Sequence, residues 1–196
     1  MPLPFVPVVP RRQDPLPETI AVFGSSEPQP GSPAYGTAYQ LGSLLAAARY
    51  PVLTGGYGGV MEAASRGARE AGGTTIGVPC AIFGDRAPNQ HLDEIIMAPD
   101  LYDRTRQLIE PAAGYIVLPG KSGTLAELAF VWALDRASCL KDRPVLLLGS
   151  GWQPLVDLLG RSNMLESSQM HNTHVTDTPE EAVELLTTLL TGAASA

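Results

Sequence analysis

The chain reads as one α/β domain, a doubly wound parallel sheet with helices on both faces, and three observations carry that expectation. Short apolar strands alternate with helical patterns from Thr19 onward, as in βαβ units joined by right-handed crossovers. The strand stretches, such as TIAVF at Thr19–Phe23 and PVLLL at residues 144–148, are continuously apolar, as parallel strands covered on both faces must be. Three turns of small residues, at 24–26, 54–59 and 119–124, all fall on the carboxyl edge of such a sheet. Ligands bind at that edge, in the crevice where the strand order reverses.

Each element follows from its residues. The first 18, MPLPFVPVVPRRQDPLPE, hold six prolines and no strand or helix period, so they are expected as an arm outside a domain spanning 19–191, with a frayed tail over 192–196. The strand 19–23 ends in Gly24, Ser25 and Ser26, small residues that let a ligand approach the backbone. Turn residues at 28–33 lead into a helix of small and apolar residues at 34–48. A second strand, 51–54, runs through the glycine turn TGGYGG into a helix reaching about Ala71, where Gly72 and Gly73 stop it. The third strand is 74–78, and a loop over 79–90 holds Cys80, Phe83, Asp85 and Arg86. The second half repeats the alternation: strand 94–97, helix 101–110, strand 115–118, helix from Thr124 to about Leu134, strand 144–148, helix 152–159. A short strand at 174–176 precedes a last helix ending at Leu190. Asp177 or Thr178 caps it, with Pro179 at the first helical position and Glu180 and Glu181 in the first turn.

A chain of 196 residues with 44% hydrophobic content has enough apolar surface for a full core. Its formal charge of -7 argues against a non-specific nucleic-acid binder, which needs a basic stripe to displace counterions from phosphates. Small anions remain open, since local helix termini and single arginines capture them whatever the net charge. Cys80 and Cys139 are too few for a disulfide framework and lack metal-binding spacing, so a reduced, cytoplasmic chain is expected. The N-terminus places apolar residues ahead of its arginines, the reverse of a signal peptide. No apolar run approaches the roughly 18 residues of a membrane span.

The chemistry concentrates in YIVLPGKSGTLAELAFVWA, residues 115–133: a buried strand broken by Pro119 and Gly120, then a helix opened by Gly123 and Thr124. A helix starting at the carboxyl end of a parallel strand leaves its first N–H groups unpaired, and its dipole adds partial positive charge there, which makes an anion site. Glu127 sits one turn inside. Two apparent motifs fail. GKS at 120–122 lacks the glycine a P-loop needs five residues before Gly120, where Tyr115 stands, and the loop is too short to wrap a triphosphate. GGYGG at 55–59 is followed by Met61 where a dinucleotide fingerprint wants a small residue. The next strand ends at Val78 and Pro79 without an acid for a ribose.

TGGYGGVMEAASRGAREAGG and DLYDRTRQLIEPAAGYIVLPGKSGTLAELAFVWAL together resemble the LOG ("lonely guy") family, formerly described as possible lysine decarboxylases, with its PGGxGTxxE motif and upstream GGGxxGxM turn. The likeness covers about residues 20–159. It implies a Rossmann-like nucleotide-binding fold, a homodimer or higher homo-oligomer, and hydrolysis of the N-glycosidic bond of adenosine or cytokinin riboside 5′-monophosphates. By this resemblance the catalytic pair is Arg104 and Glu127. The phosphate loop is Gly120, Lys121, Ser122, Gly123 and Thr124; the glycine turn is Gly55, Gly56 and Gly59; Gly24 and Ser25 stand on the same edge. The loop carries Lys121 in place of the second glycine, Thr105 follows the arginine with Arg106 after it, and Met61-Glu62 replaces Met-Gly. The last change brings the chain closer to the related molybdenum-cofactor carrier-like proteins, which bind without hydrolysing, so Glu62 and Met61 are further candidates for the site.

Breaking a ribosyl C–N bond develops oxocarbenium character on the sugar and negative charge on the departing base. A carboxylate at Glu127 is suited to stabilise the cation, orient the ribose hydroxyls or activate water, and Arg104 to steady the phosphate or the base. No metal and no cofactor are required, and His91, His171 and His174 are scattered without ligand spacing. The expected ligand is a small nucleoside monophosphate, cleaved in the leading reading and carried, as a nucleotide or a molybdenum cofactor, in the alternative.

Overall fold

The computed structural model of the protein describes residues 18–140 and 143–193. The expected arm lies outside the described residues but for Glu18, as do residues 194–196 of the expected tail. In order, the elements are β1 (Thr19–Phe23), α1 (Pro33–Ala47), β2 (Val52–Thr54), α2 (Val60–Glu70), β3 (Thr75–Gly77), β4 (Glu94–Ile95), α3 (Leu101–Ile109), β5 (Ala112–Val117), α4 (Ser122–Arg136), β6 (Val145–Leu148), α5 (Gln153–Arg161), α6 (Ser167–Asn172), β7 (Thr173–Thr176) and α7 (Pro179–Ala193). Single 3-10 turns at Ala81–Phe83 and Ser150–Trp152 complete them.

Among the described residues the strands form one seven-stranded sheet in the order β4-β3-β2-β1-β5-β6-β7, every pair parallel. The chain winds outward from β1 through β4, then crosses back to lay β5 on the other side of β1. The switch in order therefore falls between β1 and β5, whose register pairs Ile20 with Gly114 and Phe23 with Val117. Side chains alternate across the sheet, as strand geometry demands. Ile20, Val22, Val52, Ile116 and Leu146 pack with α1, α2 and α7 on one face. Ala21, Phe23, Tyr115, Val117 and Leu147 pack with α3, α4 and α5 on the other. Both faces are buried, which explains the continuous apolar strands.

Local rules place the helix ends. The Ser32 side chain accepts from the Tyr35 N–H to cap α1, and Asp100 accepts from Asp103 at 2.8 Å to cap α3. Of the two expected caps for α7, Thr178 is used: its Oγ1 accepts from the Glu181 N–H while Glu181 accepts from the backbone of Asp177 and Thr178.

Some boundaries differ from expectation. β5 begins at Ala112, not Tyr115, because Gly114 leaves the space that Leu186 and Pro144 fill; a Cβ there would lie 2.8 Å from Leu186 Cδ1. α4 begins at Ser122 rather than Thr124, which makes Lys121 its cap residue. The strand expected at 94–97 keeps only Glu94 and Ile95, at the sheet edge. α6 was not legible: SSQMHN has no apolar period, and its capping box between Glu166 and Gln169 becomes meaningful only once Gln169 is buried and donates to the Trp132 carbonyl. α7 runs to Ala193, so the tail expected from 192 is helical at its start.

Candidate functional site

A cleft opens over the carboxyl ends of β1 and β5, at the switch in strand order, where a doubly wound sheet leaves room between its flanking loops. Two backbone ties shape its floor. Ser25 donates its N–H to the Pro119 carbonyl at 3.3 Å, joining the loops after β1 and β5, and its own carbonyl accepts from Val60 at 2.9 Å, pinning the start of α2. Gly59 makes that approach feasible: its φ is +69°, and a Cβ would lie 2.4 Å from the Ser25 oxygen.

The amino end of α4 faces this cleft through Gly123 and Thr124. No side chain caps it, so its first N–H groups and the positive end of its dipole are presented to whatever enters. Lys121 stands at the rim and pairs with Glu27, from the loop after β1, with both side chains largely exposed.

Arg104 reaches in from α3 and is held on three sides. Its Nε donates to the Val78 carbonyl at 2.9 Å, one guanidinium nitrogen to the Gly55 carbonyl at 3.4 Å, and the other to Glu127 Oε1 at 3.3 Å. The guanidinium lies so close over Gly55 that a Cβ would stand 1.9 Å from it, so the glycine is required by the arginine. The two charged side chains are each only 12% exposed. Burial pushes the Glu127 carboxyl up to about 7, the Arg104 charge opposing that rise. An acid poised near neutrality in a cleft is what proton transfer at physiological pH calls for.

Of the residues expected from the sequence, Gly24, Ser25, Gly55, Met61, Arg104, Lys121, Gly123, Thr124 and Glu127 line one cleft. Gly56, Gly59, Gly120 and Ser122 belong to the same turns but are not among the lining residues. Gly120 abuts the Thr124 side chain. Glu62 is not among the residues lining the cleft; its Oε1 accepts from the Tyr35 hydroxyl at 3.3 Å, linking α2 to α1. Sequence reasoning did not assemble the opposite wall, formed by Tyr57, Phe83 and Arg86. Only the aromatic in the glycine turn and the cation in the loop after β3 hinted at it. Among the described residues no group of three His, Cys, Asp or Glu side chains is placed to hold a metal ion, and no helix is long and apolar enough to cross a membrane.

Comparison with known proteins places this architecture. The SLOG cluster4 family (LDcluster4) matches residues 17–183. A cytokinin riboside 5′-monophosphate phosphoribohydrolase of Mycobacterium tuberculosis is 28% identical over 132 residues, 66% of this chain and 70% of that one. The protein of the same name in Mycobacterium marinum is 33% identical over 94 residues, 47% of this chain, and the chain spans only 50% of that relative's length. Among solved structures, the molybdenum cofactor carrier protein of Chlamydomonas reinhardtii has a TM-score of 0.70 at 26% identity, covering 88% of this chain and 98% of that one.

Proposed function

The chain belongs to the SLOG cluster4 family, and on that premise we propose that it is a phosphoribohydrolase, cleaving the N-glycosidic bond of AMP or an N6-substituted AMP to free base and ribose 5-phosphate. One observation carries the reading: Glu127 and Arg104 meet at 3.3 Å in a nearly closed site, within the same cleft as the uncapped amino end of α4. The 5′-phosphate binds the N–H groups at Gly123 and Thr124, which fixes the ribose over Glu127. Anchoring of this kind converts remote binding into position, worth several kcal/mol of barrier in favourable cases, on the order of 7 or more for ideal alignment.

Water then attacks C1′ as the C1′–N bond breaks, with the electron pair leaving on the base. The Glu127 carboxylate takes the proton that water releases, and that proton ends on the base nitrogen. Ionised Glu127 also faces the oxocarbenium-like sugar, where a negative charge stabilises the transition state more than the ground state. Arg104, fixed by the Gly55 and Val78 carbonyls, holds the carboxylate in place.

Carriage without hydrolysis is the second reading. It is favoured by the near full-length likeness to the Chlamydomonas carrier and by the Lys121–Glu27 pair at the rim of the phosphate loop. Chromatography after incubation with AMP and an N6-substituted AMP separates the two. Free base released by the parent protein and abolished in Glu127→Gln is the expected outcome. Binding of AMP with no base released at any enzyme concentration would transfer the assignment to the carrier.

A further inference from the structure

The strand order gives the cleft two walls. On the β5 side stand Gly123 and Thr124 at the amino end of α4; on the side of β2 and β3 stand Tyr57, Phe83 and Arg86. The hydrolytic steps above use the first wall and the Arg104–Glu127 pair between the two. They leave the second without a task, although it is firmly built.

Tyr57 is 3% exposed, and its hydroxyl is fixed twice by one residue: it accepts from the Cys80 N–H at 2.9 Å and donates to the Cys80 carbonyl at 3.2 Å. Phe83 meets the Tyr57 ring edge-on, with centroids 5.6 Å apart and planes at 80°. The Arg86 guanidinium carbon lies over the same ring, 4.7 Å from its centroid. Arg104 and Lys121 are both engaged by carboxylates, whereas Arg86 forms no ion pair among the described residues. A flat, weakly hydrated cation is thus held against a locked aromatic ring on the cleft wall opposite the phosphate end, with no carboxylate among the described residues paired to it.

We infer that Arg86, stacked on Tyr57 and edged by Phe83, is the platform on which the nucleobase lies, and so the residue that makes this site prefer a nucleotide over a bare sugar phosphate. The inference rests on the site taking a nucleoside monophosphate. With the phosphate on α4, the ribose crosses the carboxyl end of β1 above Arg104 and Glu127, and the base projects onto the far wall. A guanidinium plane stacks on a heterocycle where a lysine ammonium does not. Because Tyr57 cannot turn, Arg86 loses little freedom when the base arrives. Arg86 is a positioning residue here; it takes no part in breaking the bond.

The test measures equilibrium binding of AMP and of ribose 5-phosphate to Glu127→Gln protein carrying Arg86, Arg86→Ala or Arg86→Lys, beside steady-state hydrolysis by the same three with Glu127 intact. Both Arg86 variants are expected to bind AMP about ten-fold more weakly, the scale of one stacked base, while ribose 5-phosphate binds as before. KM for AMP rises by a similar factor and kcat stays close to the parent's. Full rescue by lysine would overturn the proposal, since charge alone would then suffice. So would unchanged AMP binding in Arg86→Ala, or an equal loss for ribose 5-phosphate. If AMP binds but no base is ever released, the hydrolase reading fails and the platform is judged on the binding ratios alone. If the parent binds no AMP, both fall.

Discussion

Glu127 owes its character to what surrounds it. As a carboxylate in the first turns of a helix it is commonplace, favoured by the dipole. Burial in the cleft raises it to about 7 against an ordinary 4.5, and Arg104 limits that rise. The sign of the consequence for stability follows from linkage. Between the two values the folded chain holds a proton that the unfolded chain has released, so the contribution is complete below about 4.5 and is lost as pH climbs through 7. The amount lost is on the order of 3–4 kcal/mol, from about 1.4 kcal/mol per unit. Glu127→Gln cannot ionise and should remove that slope. Thermal melts of parent and variant are expected to coincide near pH 5, with the variant melting higher at pH 8. Equal melting temperatures throughout that range would mean that the carboxyl titrates normally. The same ionisation should give kcat/KM a limb that rises with pH and is centred near 7, because the base form does the work.

At the scale of elements, the site depends on how closely α1 and α2 lie, since α2 starts from the glycine turn that carries Gly55. Two glycines allow that approach. A Cβ on Gly42 would stand 2.0 Å from the Ala64 carbonyl oxygen, and one on Gly67 would stand 1.9 Å from the Tyr39 carbonyl oxygen. Two effects oppose each other in Gly67→Ala. Alanine improves helix propensity by about 1 kcal/mol, whereas overpacking a fitted contact costs about 1–3 kcal/mol, at its upper end where the obstacle is backbone. The clash should win, and the variant is expected to melt several degrees lower, at roughly 2–4 °C per kcal/mol for a domain of this size. A rise in melting temperature would show that the helices part without cost. By contrast, Gly36 in the same helix as Gly42 meets nothing within 4 Å of a Cβ, and there propensity alone should act.

At the scale of the molecule, the two packed helices that carry Arg104 and Glu127 also bear large exposed apolar side chains: Leu101 and Tyr102 on α3, Leu125 and Phe130 on α4. Tyr102 is 82% exposed and Phe130 48%. We propose that these side chains are covered when the protein self-associates through α3 and α4. Sedimentation equilibrium is expected to give a mass of at least twice the 20.7 kDa chain. Replacing Tyr102 and Phe130 together by lysine should return it to one chain. A monomeric parent at micromolar concentration would remove the proposal.

Much of this protein is determined by local sequence. Alternating apolar strands and helices dictate the parallel sheet, because each pattern can bury its apolar face in only one way. The run PGKSGTLAE places an anion-attracting helix end beside Glu127 because both lie on one short segment. What only the tertiary structure decided are the relations between segments distant in the chain. Arg104 and Glu127 lie 23 residues apart and meet only because β5 returns beside β1. Glu27 reaches Lys121 across 94 positions for the same reason. Tyr57, Phe83 and Arg86 form a wall only once the loop after β3 folds back over the glycine turn. Strand order is set by the packing of the whole core, and no local pattern encodes it; the side chains that this order brings face to face therefore became legible only in three dimensions.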